Sequence, residues 1–407
     1  MGNLLGFLYK ANENYQGGKL DYFRYVGVGR YLLLKFPQLF SVDEWEGPQT
    51  ILISGTSYAP DSPAYNIRIP PTILLRSRDS NSAIELSQFS ASPQMGENQK
   101  YISISGIRGE QRSRAIANLI RAISAQQRPS FLDDIFQDLR DKEEENYNLW
   151  EDRERILLIT GSYDEAELAT AQLKQRYLVG NFEEIQSLRR DNSPAHLEGI
   201  RRGKIQELKD TPVKLISGPL MAFERGHNIL NERQKAAFGT ILFLIRPMPV
   251  PDDWQTTVRF LNNWALSNIE ETNYGQNTIH EQADEFVRQA FVQLINLTGR
   301  TSSFRQLDEN ERKVLCATQA VTIWQVIGRG VRGGVPINVH FLDAKFAPNS
   351  AQGIEDDETR SLLVGIIQVI SAWMNAARPY QRTIARELYG VFLELLTHTE
   401  FLNYEQY

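Results

Sequence analysis

Cysteine is almost absent from this sequence of 407 residues, because Cys316 is the only one. A single thiol forms neither an internal disulfide nor the four-thiolate ligand set of an iron–sulfur cluster, so we expect neither in this chain. The five histidines are scattered without metal-ligand spacing, and no metal site is predicted from them. A chain that does not depend on disulfides fits the reducing cytoplasm, where we expect this protein.

Long apolar runs are lacking too, since no stretch approaches the roughly 20 residues of a membrane-spanning helix. We therefore expect no membrane partner. Neither sign of charge dominates: 44 Lys and Arg face 50 Asp and Glu, a formal net charge of −6. This balance excludes general attraction of the whole surface to nucleic acid but allows a local basic groove. The content of 42% hydrophobic and 23% charged residues is typical of a globular protein.

A third absence is a phosphate-binding loop of the form Gly-x-x-x-x-Gly-Lys-Ser/Thr. The nearest segment, residues 199–204, is one residue short, and Ile205 stands where Ser or Thr is required. Residues 164–167 are acidic, but they begin three residues after their predicted strand, and no phosphate loop precedes them. We interpret them as a helix N-terminus, where negative charge is favourable. The sequence lacks the usual means of holding a nucleoside triphosphate.

What the sequence does contain is an alternation of short apolar runs with helix-competent segments. Strands are predicted at residues 50–53, 101–105, 155–160, 213–217, 239–246 and 337–342. Helices are predicted at 111–126 and from 164 to about 176, while 178–190 is interpreted as a strand and a helix. This rhythm predicts an α/β fold with a parallel sheet and helices on both faces.

Three longer regions depart from the alternation. The charge-dense residues 131–154 are typical of a solvated helix face. Residues 253–322 are helical in pattern, and we interpret residues 253–320 as a helical insertion in the α/β domain. After a loop at 347–353, the pattern is helical again to about residue 401, with a break at Arg378-Pro379. This last region predicts a C-terminal helical segment.

The segment richest in chemistry is residues 325–332, Gln-Val-Ile-Gly-Arg-Gly-Val-Arg. Arg329 and Arg332 are three residues apart, so on a helix they share one face, where two guanidiniums suit the γ-phosphate of a nucleotide. Gln325 is expected to orient nucleotide or water. Gly328 allows a nucleotide or a backbone to approach closely. The alternative interpretation is a surface pair of arginines beside a glycine-rich turn, and the pattern alone favours neither.

Three weaker segments precede it in order. Residues 51–56 are an apolar run that ends in Ser54, Gly55 and Thr56. Residues 155–163 are a strand that ends in Ser162 and Tyr163 before a helix, whose N-terminus suits a backbone phosphate. The alternative is an ordinary strand-to-helix turn. Residues 213–229 lead from a strand into a loop that contains Arg225, Gly226 and Asn228.

In this order, the four segments resemble motifs of superfamily-2 helicases of the XPD/DinG type, over residues 50 to 345. These are hydrolases of the P-loop NTPase fold with two RecA-like lobes, and motif VI on the second lobe contacts ATP held by the first. The resemblance implies catalytic roles for Gln325, Arg329 and Arg332, and cofactor contacts for Gly328, Gly226 and Asn228. It implies nucleic-acid contact or coupling between the lobes for Ser54, Gly55, Thr56, Ser162, Tyr163 and Arg225. Arg225 replaces a glutamate of the family's loop, and Asn228 replaces its aspartate.

The resemblance also implies an organisation and partners. Residues 1–125 would be the tail of a first RecA-like lobe, 126–347 the second lobe with its insertion, and 348–407 the C-terminal helical segment. ATP and Mg²⁺ would be held mainly by a first-lobe region that this sequence lacks, or by a separate subunit. The partner would be a nucleic acid, for which the resemblance favours DNA and leaves RNA as the alternative. The alternative function is a degenerate, non-catalytic lobe that binds nucleic acid or a partner protein, for example in a defence system.

Overall fold

The architecture is taken from a computed structural model. It describes residues 3–11, 18–26, 38, 40–42, 47–48, 56, 58–66, 73, 83–124, 129–176, 182–194, 198–224, 228–248, 254–271, 278–298 and 303–405. The chain divides into two compact units, of which the first comprises residues 1–72 and 249–302. The second comprises residues 73–248 and 303–407. The two units are described separately.

The elements are numbered along the chain. The strands are β1 (Asn3–Ala11), β2 (Gly18–Val26), β3 (Gln88–Ala91), β4 (Ile156–Thr160), β5 (Ile185–Arg189), β6 (Ile200–Arg201), β7 (Leu215–Pro219), β8 (Thr240–Phe243) and β9 (Asn338–Phe341). The α-helices are α1 (Gly109–Ile123), α2 (Phe131–Glu145), α3 (Tyr147–Trp150), α4 (Tyr163–Arg176), α5 (Leu220–Glu224), α6 (Trp254–Glu271), α7 (Ile279–Thr298), α8 (Glu309–Gly330), α9 (Leu362–Met374) and α10 (Pro379–Thr397). Short 3-10 helices lie at Ile84–Leu86, Phe182–Glu184, Arg202–Asp210, Phe304–Gln306 and Ser350–Gln352.

The second unit is built on a seven-stranded sheet of order β3-β9-β8-β4-β7-β5-β6, in which every pairing is parallel. β4 is central, because Leu158 pairs with Ser217 of β7 on one side and with Leu242 of β8 on the other. All five residues of β4 are buried, as expected for a parallel strand covered on both faces. The predicted α/β class with a parallel sheet is confirmed, and the arrangement is consistent with a RecA-like lobe.

The two faces of this sheet bury different helices. Leu158 and Leu242 belong to a core shared with residues of α1, α2 and α4. Phe243 and Phe341 stack on the opposite face at 5.4 Å between ring centroids, because neighbouring residues of a strand point to opposite sides. On that face α10 reaches the edge strand, where Phe392 meets Phe89. The helices therefore flank the sheet on both sides, as the sequence pattern predicted.

Several predicted elements need correction. Residues 101–105 were predicted to be a strand, but only a single bridge from Tyr101 to Met95 forms there. The region 178–190 ends in strand β5 and has no α-helix in its described part, residues 182–190. β3 was not predicted, and it pairs with β9 in the same sheet. β3 and α1 belong to the compact unit that contains residues 126–248, and the predicted first lobe over residues 1–125 stays a prediction.

The first unit contains a two-stranded antiparallel sheet in which Asn3 of β1 faces Val26 of β2. It also contains α6 and α7, which lie in the region predicted as a helical insertion. Trp264 of α6 and Phe286 of α7 pack with ring centroids 5.3 Å apart. The third helix of the predicted insertion, α8, lies in the second unit. The strand predicted at 50–53 lies outside the described residues.

The charge-dense segment forms α2 and is solvated on one face as predicted, but its end contains a buried arginine. Arg153 has no exposed surface. Its guanidinium donates five hydrogen bonds of 2.7–3.0 Å to the carbonyls of Leu149, Ala236, Phe238, Gly330 and Pro336. Burial lowers the pKa of Arg153 to about 9, so the side chain is still protonated at neutral pH. Arg153 therefore links the segments that immediately precede β4, β8 and β9.

Candidate functional site

The motif at residues 325–332 lies at the end of α8. This helix begins with a capping box in which Asp308 and Glu311 each accept a backbone N–H of the other. It ends at Gly330, where there is no room for a side chain, because a Cβ would lie 1.8 Å from the Cδ1 of Ile337. Arg332 therefore lies beyond the helix, and the expectation that both arginines share one helix face is wrong. A turn through Gly333 and Gly334, both at positive φ, follows.

Arg329 is in the last turn of α8 and is only 8% exposed. Its Nε donates to the carbonyl oxygen of Phe223 at 3.0 Å. Phe223 belongs to α5, the short helix that follows β7. Burial lowers the pKa of Arg329, and the nearby charge of Arg332 lowers it further. The segment at residues 325–332 is thus held against the segment at residues 213–229.

Arg332 makes a second connection between the same two segments. Its guanidinium donates to the side-chain amide oxygen of Asn228. Arg332 is partly exposed, and burial lowers its pKa. Of the predicted site residues, Arg329, Arg332 and Asn228 are brought together in space.

Gln325 and Gly328 precede the arginines on α8. Gln325 is half-buried, one helical turn before Arg329. Gly328 is half-buried, and a Cβ added to it would meet no atom within 4 Å. The space beside Gly328 is open, and its predicted contact with a nucleotide stays a prediction.

Ser162 and Tyr163 lie at the carboxyl end of β4, where α4 begins. The Ser162 hydroxyl accepts the backbone N–H of Glu165 at 3.1 Å, as an N-cap residue does. The Glu165 carboxylate in turn accepts the N–H of Gly161 at 2.8 Å and the Nε of Arg112 at 2.5 Å. A carboxylate of the chain itself therefore neutralises this helix start, and a phosphate would bind beside Glu165 or displace it.

Tyr163 has a cationic neighbour that the sequence analysis did not single out. The guanidinium carbon of Arg190 lies 5.0 Å from the centroid of the tyrosine ring. Arg190 is exposed and follows directly after β5. An exposed arginine over an aromatic ring suits both phosphate contact and base stacking. β4 and β5 lie on either side of β7 in the sheet. Only this strand order brings the two side chains together.

The two groups of predicted residues lie on different segments of this unit. Ser162 and Tyr163 follow the carboxyl end of β4. Arg329 precedes Gly330, whose carbonyl is bound by Arg153 together with the carbonyls that precede β8 and β9. The backbone after Arg329 therefore lies near the amino ends of β8 and β9, whereas the Arg329 guanidinium contacts Phe223, which follows the carboxyl end of β7. The structure contains two separate candidate sites in this unit.

Some predicted residues cannot be placed in this arrangement. Ser54, Gly55, Arg225 and Gly226 lie outside the described residues. Thr56 is described and partly buried, and it belongs to the first unit. Its predicted role in coupling the lobes stays a prediction.

Other chemistry is limited. Within the described part of the chain, no group of three or more His, Cys, Asp or Glu residues is arranged to hold a metal ion. Burial raises the pKa of the Cys316 thiol to about 12, so this cysteine is neutral and inert. No helix among the described residues combines the length and the apolar character needed to cross a bilayer.

Comparison with protein-family models and with curated proteins gave no match for this chain. The fold and the arginine pair thus define a parallel α/β protein with a cationic site. The resemblance to superfamily-2 helicases depends on the sequence motifs alone.

Proposed function

We propose that this chain supplies the second lobe of an ATP-dependent nucleic-acid helicase. The observation that carries the proposal is the adjacency of Arg329 and Arg332, anchored to Phe223 and Asn228 beside the open space at Gly328. The charge of Arg332 contributes to lowering the pKa of Arg329. An anionic ligand between or beside the two guanidiniums would stabilise both charges. The motif order and the parallel sheet support the same function.

The two arginines would have different tasks. Arg332 is the more exposed, and its guanidinium would contact the γ-phosphate of a nucleotide presented by another region or subunit. Arg329, mostly buried, would hold α5 and the end of α8 in place and add positive charge. Gln325, one turn earlier, would orient water. ATP, when bound, supplies the phosphoryl group for hydrolysis, and Arg332 would stabilise the charge that develops during transfer.

A nucleic-acid strand would bind at Tyr163 and Arg190, which follow the carboxyl ends of β4 and β5. Tyr163 and Arg190 offer an aromatic face and a cation side by side, a combination that binds single strands without sequence preference. We propose single-stranded DNA as the partner. Separate positions for nucleotide and strand fit a protein that couples hydrolysis to movement along DNA.

To test the phosphate site, inorganic tripolyphosphate is titrated into the full chain, and binding is measured by isothermal titration calorimetry. We expect saturable binding that weakens about fivefold or more in Arg332→Gln, a loss of about 1 kcal/mol. Arg378→Gln removes a matched charge that is exposed elsewhere and should leave the affinity unchanged. Equal binding by Arg332→Gln, or no binding by the unmodified chain, contradicts the proposal.

The strand site is tested by fluorescence anisotropy with labelled oligothymidine, with oligouridine compared in parallel. Tyr163→Ala should weaken binding by about 1–3 kcal/mol, the contribution of one stacked base. Tyr147→Ala, at an exposed tyrosine elsewhere in the chain, is the control. Tighter binding of oligouridine would replace DNA by RNA in the proposal, and an unchanged affinity in Tyr163→Ala would remove this site.

The burial of Arg329 favours a second candidate, a non-catalytic lobe that binds nucleic acid or a partner protein. At 8% exposure and bonded to a backbone carbonyl, this arginine already has a structural task. A chain that binds oligothymidine but not tripolyphosphate would support this second function.

A further inference from the structure

A cavity of about 300 Å³ lies in the second unit, away from both candidate sites. It is bounded by the first half of α2, the edge strand β3 and its neighbour β9, and the segment after α10. Its lining includes three carboxylates, Asp134, Asp138 and Glu400, and the rings of Phe131 and His340. Its volume is at the lower end of the range for small-molecule sites.

The wall of this cavity already binds one ammonium group. The Nζ of Lys142 lies 2.9 Å from Asp138. The same ammonium donates to the side-chain oxygens of Gln88 at 2.8 Å and Asn338 at 2.9 Å. Asp138, Gln88 and Asn338 all line the cavity. Three oxygens at these distances form an environment that suits a protonated amine.

The remaining negative charge is not balanced. Asp134 and Glu400 are both exposed, and neither carboxylate forms a hydrogen bond or an ion pair with a residue that the structure describes. Three carboxylates with the single ammonium of Lys142 leave two negative charges around one small cavity. The described residues include no arrangement of metal ligands here, so an organic cation suits the space better than a metal ion.

Two rings give the cavity an apolar side. Phe131 meets His340 edge to face at 5.4 Å between centroids. The Nδ1 of His340 is 3.2 Å from the hydroxyl of Ser92, which fixes the ring. Burial lowers the pKa of His340 to about 4, so the ring is neutral at pH 7 and does not repel a cation. Rings of this kind pack against methylene groups next to a charge.

We propose that this cavity binds an aliphatic ammonium ion, with Asp134 and Glu400 as its anionic partners and Phe131 and His340 against its methylene chain. The ammonium belongs either to a free short amine or to a lysine side chain of another protein. The site is independent of the proposed helicase function, because none of its residues belongs to the motifs.

The test uses 1,4-diaminobutane, titrated into the full chain at pH 7 with calorimetric detection. We expect saturable binding that weakens about tenfold or more in the double variant Asp134→Asn, Glu400→Gln. Glu144→Gln removes a carboxylate that is exposed on the same helix but outside the cavity, and it should stay within about twofold of the unmodified chain. Equal affinity in the double variant overturns the proposal.

Two further titrations use the unmodified chain and so do not depend on the folding of a variant. 1-Butanol has a similar length without the charge, and it should not bind; binding equal to that of the amine overturns the proposal. N-acetyl-lysine amide presents the same ammonium on a peptide-like group. Tighter binding of this compound identifies a protein side chain as the ligand, and weaker binding identifies a free amine. If neither 1,4-diaminobutane nor N-acetyl-lysine amide binds saturably, the proposal is also overturned.

Discussion

A single buried side chain joins the starts of three strands in this protein. The guanidinium of Arg153 has five N–H donors, and each is matched by a backbone carbonyl. No other side chain offers five donors in one plane. The ring of Trp150 lies 5.0 Å from the guanidinium carbon and adds a cation–π contact.

We expect Arg153→Lys to lower the free energy of unfolding by about 3 kcal/mol or more, because an ammonium has three donors and leaves buried carbonyls without a partner. Urea denaturation followed by circular dichroism measures the effect. Arg140→Lys, at a partly exposed arginine paired with Glu154, should cost less than about 1 kcal/mol. Similar losses in both variants would show that the hydrogen bonds of Arg153 contribute little.

His340 predicts a dependence of stability on pH. Burial holds its pKa at about 4 in the folded chain, against 6.5 ordinarily. Between these values the unfolded chain binds a proton that the folded chain does not, so stability is present above pH 6.5 and falls as the pH drops toward 4. Because part of the ring is accessible, we expect a loss of about 1–2 kcal/mol between pH 7 and pH 5 from this residue.

The corresponding measurement compares urea midpoints at pH 7 and pH 5. His340→Gln cannot titrate, so its midpoint should fall less over this interval than that of the unmodified chain. His280→Gln, at a histidine whose side chain is 89% exposed, should follow the unmodified chain. An identical fall in all three proteins would exclude His340 as the cause.

At the scale of elements, α8 contains two glycines with opposite surroundings. Gly330 is packed against Ile337, whereas Gly328 faces open space. Gly330→Ala should therefore destabilise the chain by about 1–3 kcal/mol through overpacking. Gly328→Ala should stabilise it by up to about 1 kcal/mol, because alanine favours a helix. Thermal midpoints of the two variants measure the difference, and destabilisation by Gly328→Ala would show that its open face is occupied.

At the scale of the whole molecule, the sequence contains arginines suited to a nucleotide but no phosphate loop. We expect the purified chain to hydrolyse ATP no faster than background, with or without single-stranded DNA. A coupled-enzyme ATPase assay measures this. Rapid turnover that is lost in Arg329→Ala would show that another segment of this chain holds the triphosphate.

Much of the second unit could be predicted from local pattern. The buried runs at β4, β7, β8 and β9 and the helical spacing of Ile116, Leu119, Ile120 and Ile123 in α1 are local properties of the sequence, and the structure has these elements. β3 was missed because its sequence, Gln-Phe-Ser-Ala, contains no run of apolar residues, and residues 101–105 alternate without a partner strand. The end of α8 at Gly330 was missed, although Gly333 and Gly334, both at positive φ, follow it closely.

The sequence by itself determined the α/β class, the order of the motifs and the residue types available for chemistry, since these depend on periodicity and spacing along the chain. Only the tertiary structure decided that Arg329 meets Phe223, that Tyr163 meets Arg190 and that Arg153 is buried. Each of these features brings together segments that are separated in the chain or uses backbone carbonyls as partners. Because every residue has a backbone carbonyl, the sequence does not mark which one will be used. The arrangement of strands in the sheet creates such contacts, and side-chain patterns along one segment do not contain them.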